Sequence, residues 1–333
     1  MGWLNDLLSL GSSVLSLVFA GLVLDQWWQR RRPFQLVWSV GLLFYGISSG
    51  TEFLGGALGW NEALYRIWYL VGAFFVAAYL GAGTIYLLNK TSFGYFAAVS
   101  IAAGGLFSLA ATTKYPGSST AGTITLTASL VGAVLLAATT AIRREAQGHV
   151  AMACLVAGSV VVTGLVLTAP LSGPYLDPST HVPVASAFPG YLRVSSVPFN
   201  AGGGLSLVFG ALYSAYVYMA KRRILKAKVQ APVLAQLYGA LAVAVNLVAS
   251  LPAAVRALLA GRLNSRVPAT LLIALGALIP GTTSGLDRFG ITWSFYLGQF
   301  VGVVLIFAGF LISEEVFRNI RVGVTLWGRA SDS

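Results

Sequence analysis

Nine long apolar runs, each close to the length of a bilayer crossing, dominate the order of residues in this chain. They cover roughly 7–24, 36–58, 67–88, 93–112, 121–142, 150–169, 199–220, 267–285 and 291–312. A hydrocarbon core takes about 20 mostly apolar residues as a helix, because a helix satisfies its own backbone polar groups where no water can. Turn formers and breakers fall between the runs: Pro33, Asn89, Pro116-Gly117, Gly148, the Pro-rich 170–198 stretch and Gly290. The pattern predicts an all-α, polytopic transmembrane helix bundle, and lipid is the partner that its surface requires. Only 9% of the 333 residues are charged and the mean hydropathy is +0.79, too little charge to keep a soluble surface of this size dispersed.

The net charge of +11 is not a nucleic-acid signature, because the bases sit in short clusters between apolar runs, such as Gln29-Arg30-Arg31-Arg32 and Lys221-Arg222-Arg223. Such clusters mark cytoplasmic loops. With the N-terminus outside, the first seven runs place eleven bases in cytoplasmic loops and only Arg66, Lys114 and Arg193 outside. A tenth apolar run, 231–251, is ambiguous. If it crosses, the totals are twelve inside against nine outside; if 231–264 enters and returns on the cytoplasmic side near Pro252, they become seventeen against four. The expectation is nine spans plus a re-entrant or interfacial hairpin, with ten spans as the alternative and the C-terminus inside. The chain then forms a single integral membrane domain, 1–333, with 225–265 as an inserted cytoplasmic-side hairpin. No positive n-region precedes the first run, so residues 7–24 are expected to be a retained span. Arg outnumbers Lys sixteen to five and Ala and Gly are abundant, which points to a bacterial inner membrane.

The residue inventory argues against several chemistries. Cys154 is the one cysteine, so no intrachain disulfide or cysteine cluster can form. His149 and His181 lie at loop positions, which disfavours bis-histidine haem. The five lysines lie in loops or at run ends, away from where a retinal Schiff base would need one. No Walker A, His-Glu-x-x-His, nucleophile-elbow or dinucleotide fingerprint occurs. The expectation is a non-enzyme without cofactor or metal and with no nucleic-acid partner.

One acid stands inside a run. Glu52 lies in Gly-Ile-Ser-Ser-Gly-Thr-Glu-Phe-Leu-Gly-Gly (46–56), and an ionisable group at that depth is costly enough to suggest function. It reads either as a contact for a proton, cation or polar ligand, helped by Ser48, Ser49 and Thr51, or as a structural pair with Arg66 or Arg193. The 170–198 loop, stiffened by six prolines, adds Asp177, His181 and Arg193, and serves either as a lid or as a stiff cap. The candidate ligand-binding set is therefore Glu52, Ser48, Thr51, Arg66, Asp177, His181 and Arg193. Asn200 is placed to cap the seventh run, Asn246 to bond across helices, and Trp27, Trp28, Trp60, Trp68 and Trp293 to form an interfacial belt. Two functions fit: binding or passage of a small uncharged or lipid-like solute, or a non-catalytic subunit or scaffold held by other membrane subunits. A sensor fits less well, because the tail after 313 is short.

Overall fold

The computed structural model of the chain describes residues 2–178, 181–218, 225, 266–287 and 294–312, together with isolated positions between 242 and 257. Its long elements follow the apolar runs closely. They are α1 (Gly2–Arg30), α2 (Pro33–Leu58), α3 (Glu62–Leu70), α4 (Val76–Leu87), α5 (Phe93–Ala111), α6 (Ser119–Ile142), α7 (Gln147–Thr168), the short α8 (Gly190–Ser195), α9 (Gly203–Tyr218), α10 (Arg266–Asp287) and α11 (Phe295–Ile312). Two π turns interrupt this order, Val71–Phe75 between α3 and α4 and Pro198–Gly202 before α9.

Local chemistry sets the boundaries. Arg31 adopts a left-handed backbone (φ 53°) and Pro33 opens α2, so α1 turns back within two residues. The α2 helix ends at Gly59 (φ 91°), a conformation that a side chain would disfavour. The side chain of Asn61 then caps α3 by accepting from the Leu64 N–H at 2.9 Å.

The interior and exterior chemistries are those of a protein in lipid. Ser9, Ser12, Ser13 and Ser16 are buried, while Ile124, Val131, Val134, Val160, Val161 and Leu167 are exposed. Along the α1–α2 seam Ser13 Oγ donates to the Gly46 carbonyl at 2.8 Å and Ser39 Oγ to that of Ala20 at 3.0 Å. Small and hydroxylated residues bring helices together where lipid supplies no hydrophobic drive for association. Among the described residues seven helices are long and apolar enough to cross a membrane: Trp3–Arg30, Glu62–Leu87, Phe93–Ala111, Ser119–Ile142, Arg144–Thr168, Val267–Leu286 and Phe295–Ile312. The chain is a helical, membrane-embedded protein. The runs expected at 36–58 and 199–220 are helical too, but α2 carries Gln35, Ser48, Ser49, Thr51 and Glu52, and α9 is 16 residues long.

The chain divides into two compact units, one of Met1–Gly210 with Ala277–Val304, the other of Ala211–Gly276 with Leu305–Ser333. In the second, Val267 is fully buried among Leu212, Tyr216 and Leu271, and a Cβ at Gly309 would lie 2.5 Å from the Ala269 carbonyl oxygen. Asn246 there bonds backbone, as donor to the Leu225 carbonyl (3.1 Å) and acceptor from its N–H (3.0 Å). Most of the 225–265 hairpin expected from the charge pattern, and Trp293, lie outside the described residues.

The first unit holds the larger core, a cluster rich in aromatic side chains that includes Tyr65, Trp68, Tyr69, Phe74, Phe188 and Tyr296. The 170–198 loop packs onto it and is more regular than its prolines suggest. Val184 N–H donates to the Tyr175 carbonyl, Asp177 N–H to that of Val182 and Ser172 N–H to that of Ala187, each within 3.0 Å, and α8 follows. Val182, Phe188, Leu192 and Val194 are buried. The loop is a folded cap.

Candidate functional site

Helix α2 carries Tyr45, Ser48, Ser49 and Glu52 along a stretch only two turns long, with spacings of three and four that place them on neighbouring faces. Glu52 is 1% exposed. Its Oε1 accepts from Trp68 Nε1 at 2.9 Å and from Gln299 Nε2 at 3.0 Å. Its Oε2 is buried and has no partner among the described residues. Gln299, on α11, is itself fixed in orientation. Ser49 Oγ donates to its Oε1 at 3.2 Å, and the Tyr45 hydroxyl donates to its backbone carbonyl at 2.8 Å. The result is a chain of neutral groups, Ser49 to Gln299 to Glu52 and Trp68, ending on one carboxyl.

Glycines make this packing possible. A Cβ at Gly72, in the first π turn, would lie 2.6 Å from Ser48 Oγ. One helical turn beyond Glu52, Gly55 lies under the Trp60 indole and Gly56 against Asp6 Oδ1, with only 2.2 and 2.0 Å left for a Cβ. Trp60 stands edge-on to Trp68 at 6.0 Å. Tyr65 stacks on Tyr175 (4.5 Å) and Phe188 (5.1 Å), and Tyr69 on Phe188 (4.3 Å), while the Tyr65 hydroxyl donates to the Val184 carbonyl. The cap loop is thus attached through aromatic rings to the helix that supplies a donor to Glu52.

The two π turns lie side by side. Asn200, in the second, donates from Nδ2 to the Ala73 carbonyl of the first at 2.8 Å. It does not cap α9, as its place after Pro198 suggests; it satisfies a carbonyl where the regular ladder of α3–α4 is interrupted. Immediately beyond, Gly81 and Gly203 bring the backbones of α4 and α9 together, a Cβ on Gly203 having only 2.4 Å to the Ala77 oxygen. π turns concentrate at functional sites, and broken helices mark solute sites in membrane proteins.

Of the residues singled out by sequence, the structure brings Glu52, Ser48 and Thr51 together, with Thr51 Oγ1 donating to the Ser48 carbonyl at 2.6 Å. The pairing of Glu52 with Arg66 or Arg193 does not form. Arg66 bonds Glu62, its own i−4 neighbour, at 2.6 Å, and donates to the carbonyls of Val166 and Ala169. It thereby joins α3 to the end of α7. Arg193 lies over the Tyr115 ring at 4.3 Å. Asp177 and His181 stay in the cap, where the His181 N–H donates to the Asp177 carbonyl and His181 adopts φ 57°. Neither bonds Glu52. Three groups of the site went unread: Gln299, Trp68 and Tyr45. Gln299 had a usable signal, as an amide within the otherwise apolar Phe295–Ile312 run. Trp68 had a misleading one, since a tryptophan near a run end suggests the interface, yet it is buried. Among the described residues no group of three His, Cys, Asp or Glu is placed to hold a metal ion.

Compared with known families, curated proteins and solved structures, the chain matches no family model, no curated protein and no solved structure. The site must therefore be read from its own chemistry.

Proposed function

We propose that the chain binds or passes a small uncharged or lipid-like solute within its helix bundle, with Glu52 as the polar contact. The supporting observation is the bare Oε2 of Glu52, a buried carboxyl oxygen with neutral donors on its twin and no cation bonded to it among the described residues. A buried polar atom without a partner is expensive, so its retention points to a ligand that completes it. The adjacent π turns and the aromatic cap suit an apolar ligand body that carries one hydrogen-bond donor. The charge pattern supports an orientation with the cap and the N-terminus outside a bacterial inner membrane and the basic loops inside. Nine spans with a cytoplasmic hairpin is the topology that goes with it.

Native mass spectrometry after gentle detergent extraction tests this reading. The expected result is a protein that carries a reproducible small-molecule or lipid mass, retained by wild type and lost from Glu52→Gln at unchanged expression. A protein that flies with stoichiometric protein partners and no small molecule overturns it in favour of a non-catalytic subunit of a larger membrane complex.

A further inference from the structure

Two carboxyls, one buried and one half-buried, lie a single turn apart along α2. Glu52 is the deeper. Asp6 of α1 rests on Gly56, four residues further along and hence on the same face of the helix. Gly55 and Gly56 carry no side chains between the two acids; the indole of Trp60 covers one and Asp6 the other. We propose that Glu52 is a proton-binding site that exchanges with the aqueous phase at the cap end of the bundle, with Asp6 as the group that relays the proton. The inference rests on the reading of Glu52 as a ligand contact and names the proton as a ligand of that same site.

The bonding around Glu52 accommodates both states of the acid. With a proton on Oε2, Oε1 is a carbonyl oxygen with two lone pairs, and it accepts two N–H donors, as observed. When the Oε2–H bond breaks, the electron pair stays on Glu52 and the same donors face the charge. The Asp6 carboxylate takes up the proton and releases it to water, which restores Asp6 as an anion. Among the described residues no cation bonds either oxygen of Glu52. Asp25 and Arg30 of α1 and Tyr86 of α4 lie toward the far ends of their helices; the titratable and charged groups nearer Glu52 on the elements packed around it are Tyr45 on α2 itself, Asp6 on α1, Tyr65, Tyr69 and the Arg66–Glu62 pair on α3, Tyr79 on α4 and Tyr296 on α11. Arg66, the one base in that set, is held by Glu62 and by two carbonyls of the α7 end. A permanently ionised carboxylate so deep would be paired, as buried charges are.

The test is an infrared titration of the full chain in phosphatidylcholine vesicles. The expected result is a protonated-carboxyl C=O band that vanishes reversibly as pH rises and is missing in Glu52→Gln. In Asp6→Asn the band should remain, but its shift in heavy water should develop at least about tenfold more slowly, as fits the loss of a positioned acid–base group. Glu52→Gln keeps an oxygen for Trp68 and Gln299. Should that variant nevertheless fail to fold, dicyclohexylcarbodiimide, which attacks protonated carboxyls in apolar surroundings, assigns the band in wild type through an adduct on the 33–58 peptide. An absent band at every pH, a band that survives alkali, or a band unchanged by Glu52→Gln and by the carbodiimide overturns the proton site. Unaltered exchange in Asp6→Asn overturns the relay. A titrating Glu52 in a protein that carries no small molecule keeps this inference and removes the solute reading; a bound small molecule beside a non-titrating Glu52 does the reverse.

Discussion

The indole N–H of Trp68 and the amide of Gln299 both end on one oxygen of Glu52, so each offsets part of the cost of burying that carboxyl. Trp68→Phe removes one donor while keeping most of the ring volume. The expected loss is about 1–3 kcal/mol, the usual cost of leaving a buried polar atom short of a partner. In a Glu52→Leu background the same change should cost much less, because no carboxyl remains to be served. Thermal unfolding of the four proteins in one detergent gives the coupling; equal costs in both backgrounds would mean that the hydrogen bond contributes nothing to stability. This site was half legible in the sequence. Glu52 stands out because an acid in an apolar run is rare and costly. Its partners do not, because a donor four or more turns away in the chain, or 247 residues away as Gln299 is, has no periodic signature. Arg66 misled for a local reason: Glu62 sits one turn before it, and an i,i+4 pair forms without any help from tertiary structure.

Between elements, close approach of backbones does what apolar burial does in water-soluble proteins. Gly203 on α9 faces the backbone of Ala77 and Ala78 at 2.4–2.6 Å from its would-be Cβ, and Gly81 faces Gly203 in turn. A methyl group there meets backbone, not a flexible side-chain tip, so the helices must separate. Gly203→Ala should therefore destabilise by about 1–3 kcal/mol, as overpacking does. Gly132→Ala and Gly164→Ala, where nothing lies within 4 Å, should instead be neutral or gain about 0.5–1 kcal/mol from helix propensity. Unfolding midpoints of the three variants decide the matter, and a neutral Gly203→Ala would show that α4 and α9 are not held at this distance. The places of the helices could be read from hydropathy, α5 being expected at 93–112 and found at Phe93–Ala111, whereas α1, expected at 7–24, extends over Gly2–Arg30. The π turns could not. They arise where Asn200 reaches across to the Ala73 carbonyl, a contact 127 residues long in sequence.

At the largest scale, Arg30, Arg31, Lys90, Arg143 and Arg144 of the first unit lie at the helix ends away from the folded cap, and this asymmetry makes the proposed orientation measurable. Lys90 lies in the turn between α4 and α5, and Ser172 in the cap; both are exposed. Three helices, α5, α6 and α7, separate them, so a chain that crosses the membrane at each must place them on opposite sides. A Cys154→Ser background removes the one native thiol. In that background Ser172→Cys should react with a membrane-impermeant maleimide in intact cells, whereas Lys90→Cys should react only after the membrane is opened. Basic residues near span ends are retained on the cytoplasmic side during insertion, which is why the Lys90 side is expected inside. The reverse pattern would invert the bundle, moving the Asp6 end to the cytoplasmic side and with it the side from which Glu52 draws its proton. Labelling of both positions in intact cells would mean that α5, α6 and α7 do not all cross, despite lengths of 19, 24 and 22 residues. Each is long enough at about 1.5 Å per residue to traverse most or all of a hydrocarbon core of about 30 Å. Same-side labelling would then have to come from an odd number of those helices lying along the membrane surface. The exposed apolar residues around α6, from Ile124 to Ile142, argue against that for α6, since a surface helix keeps one polar face.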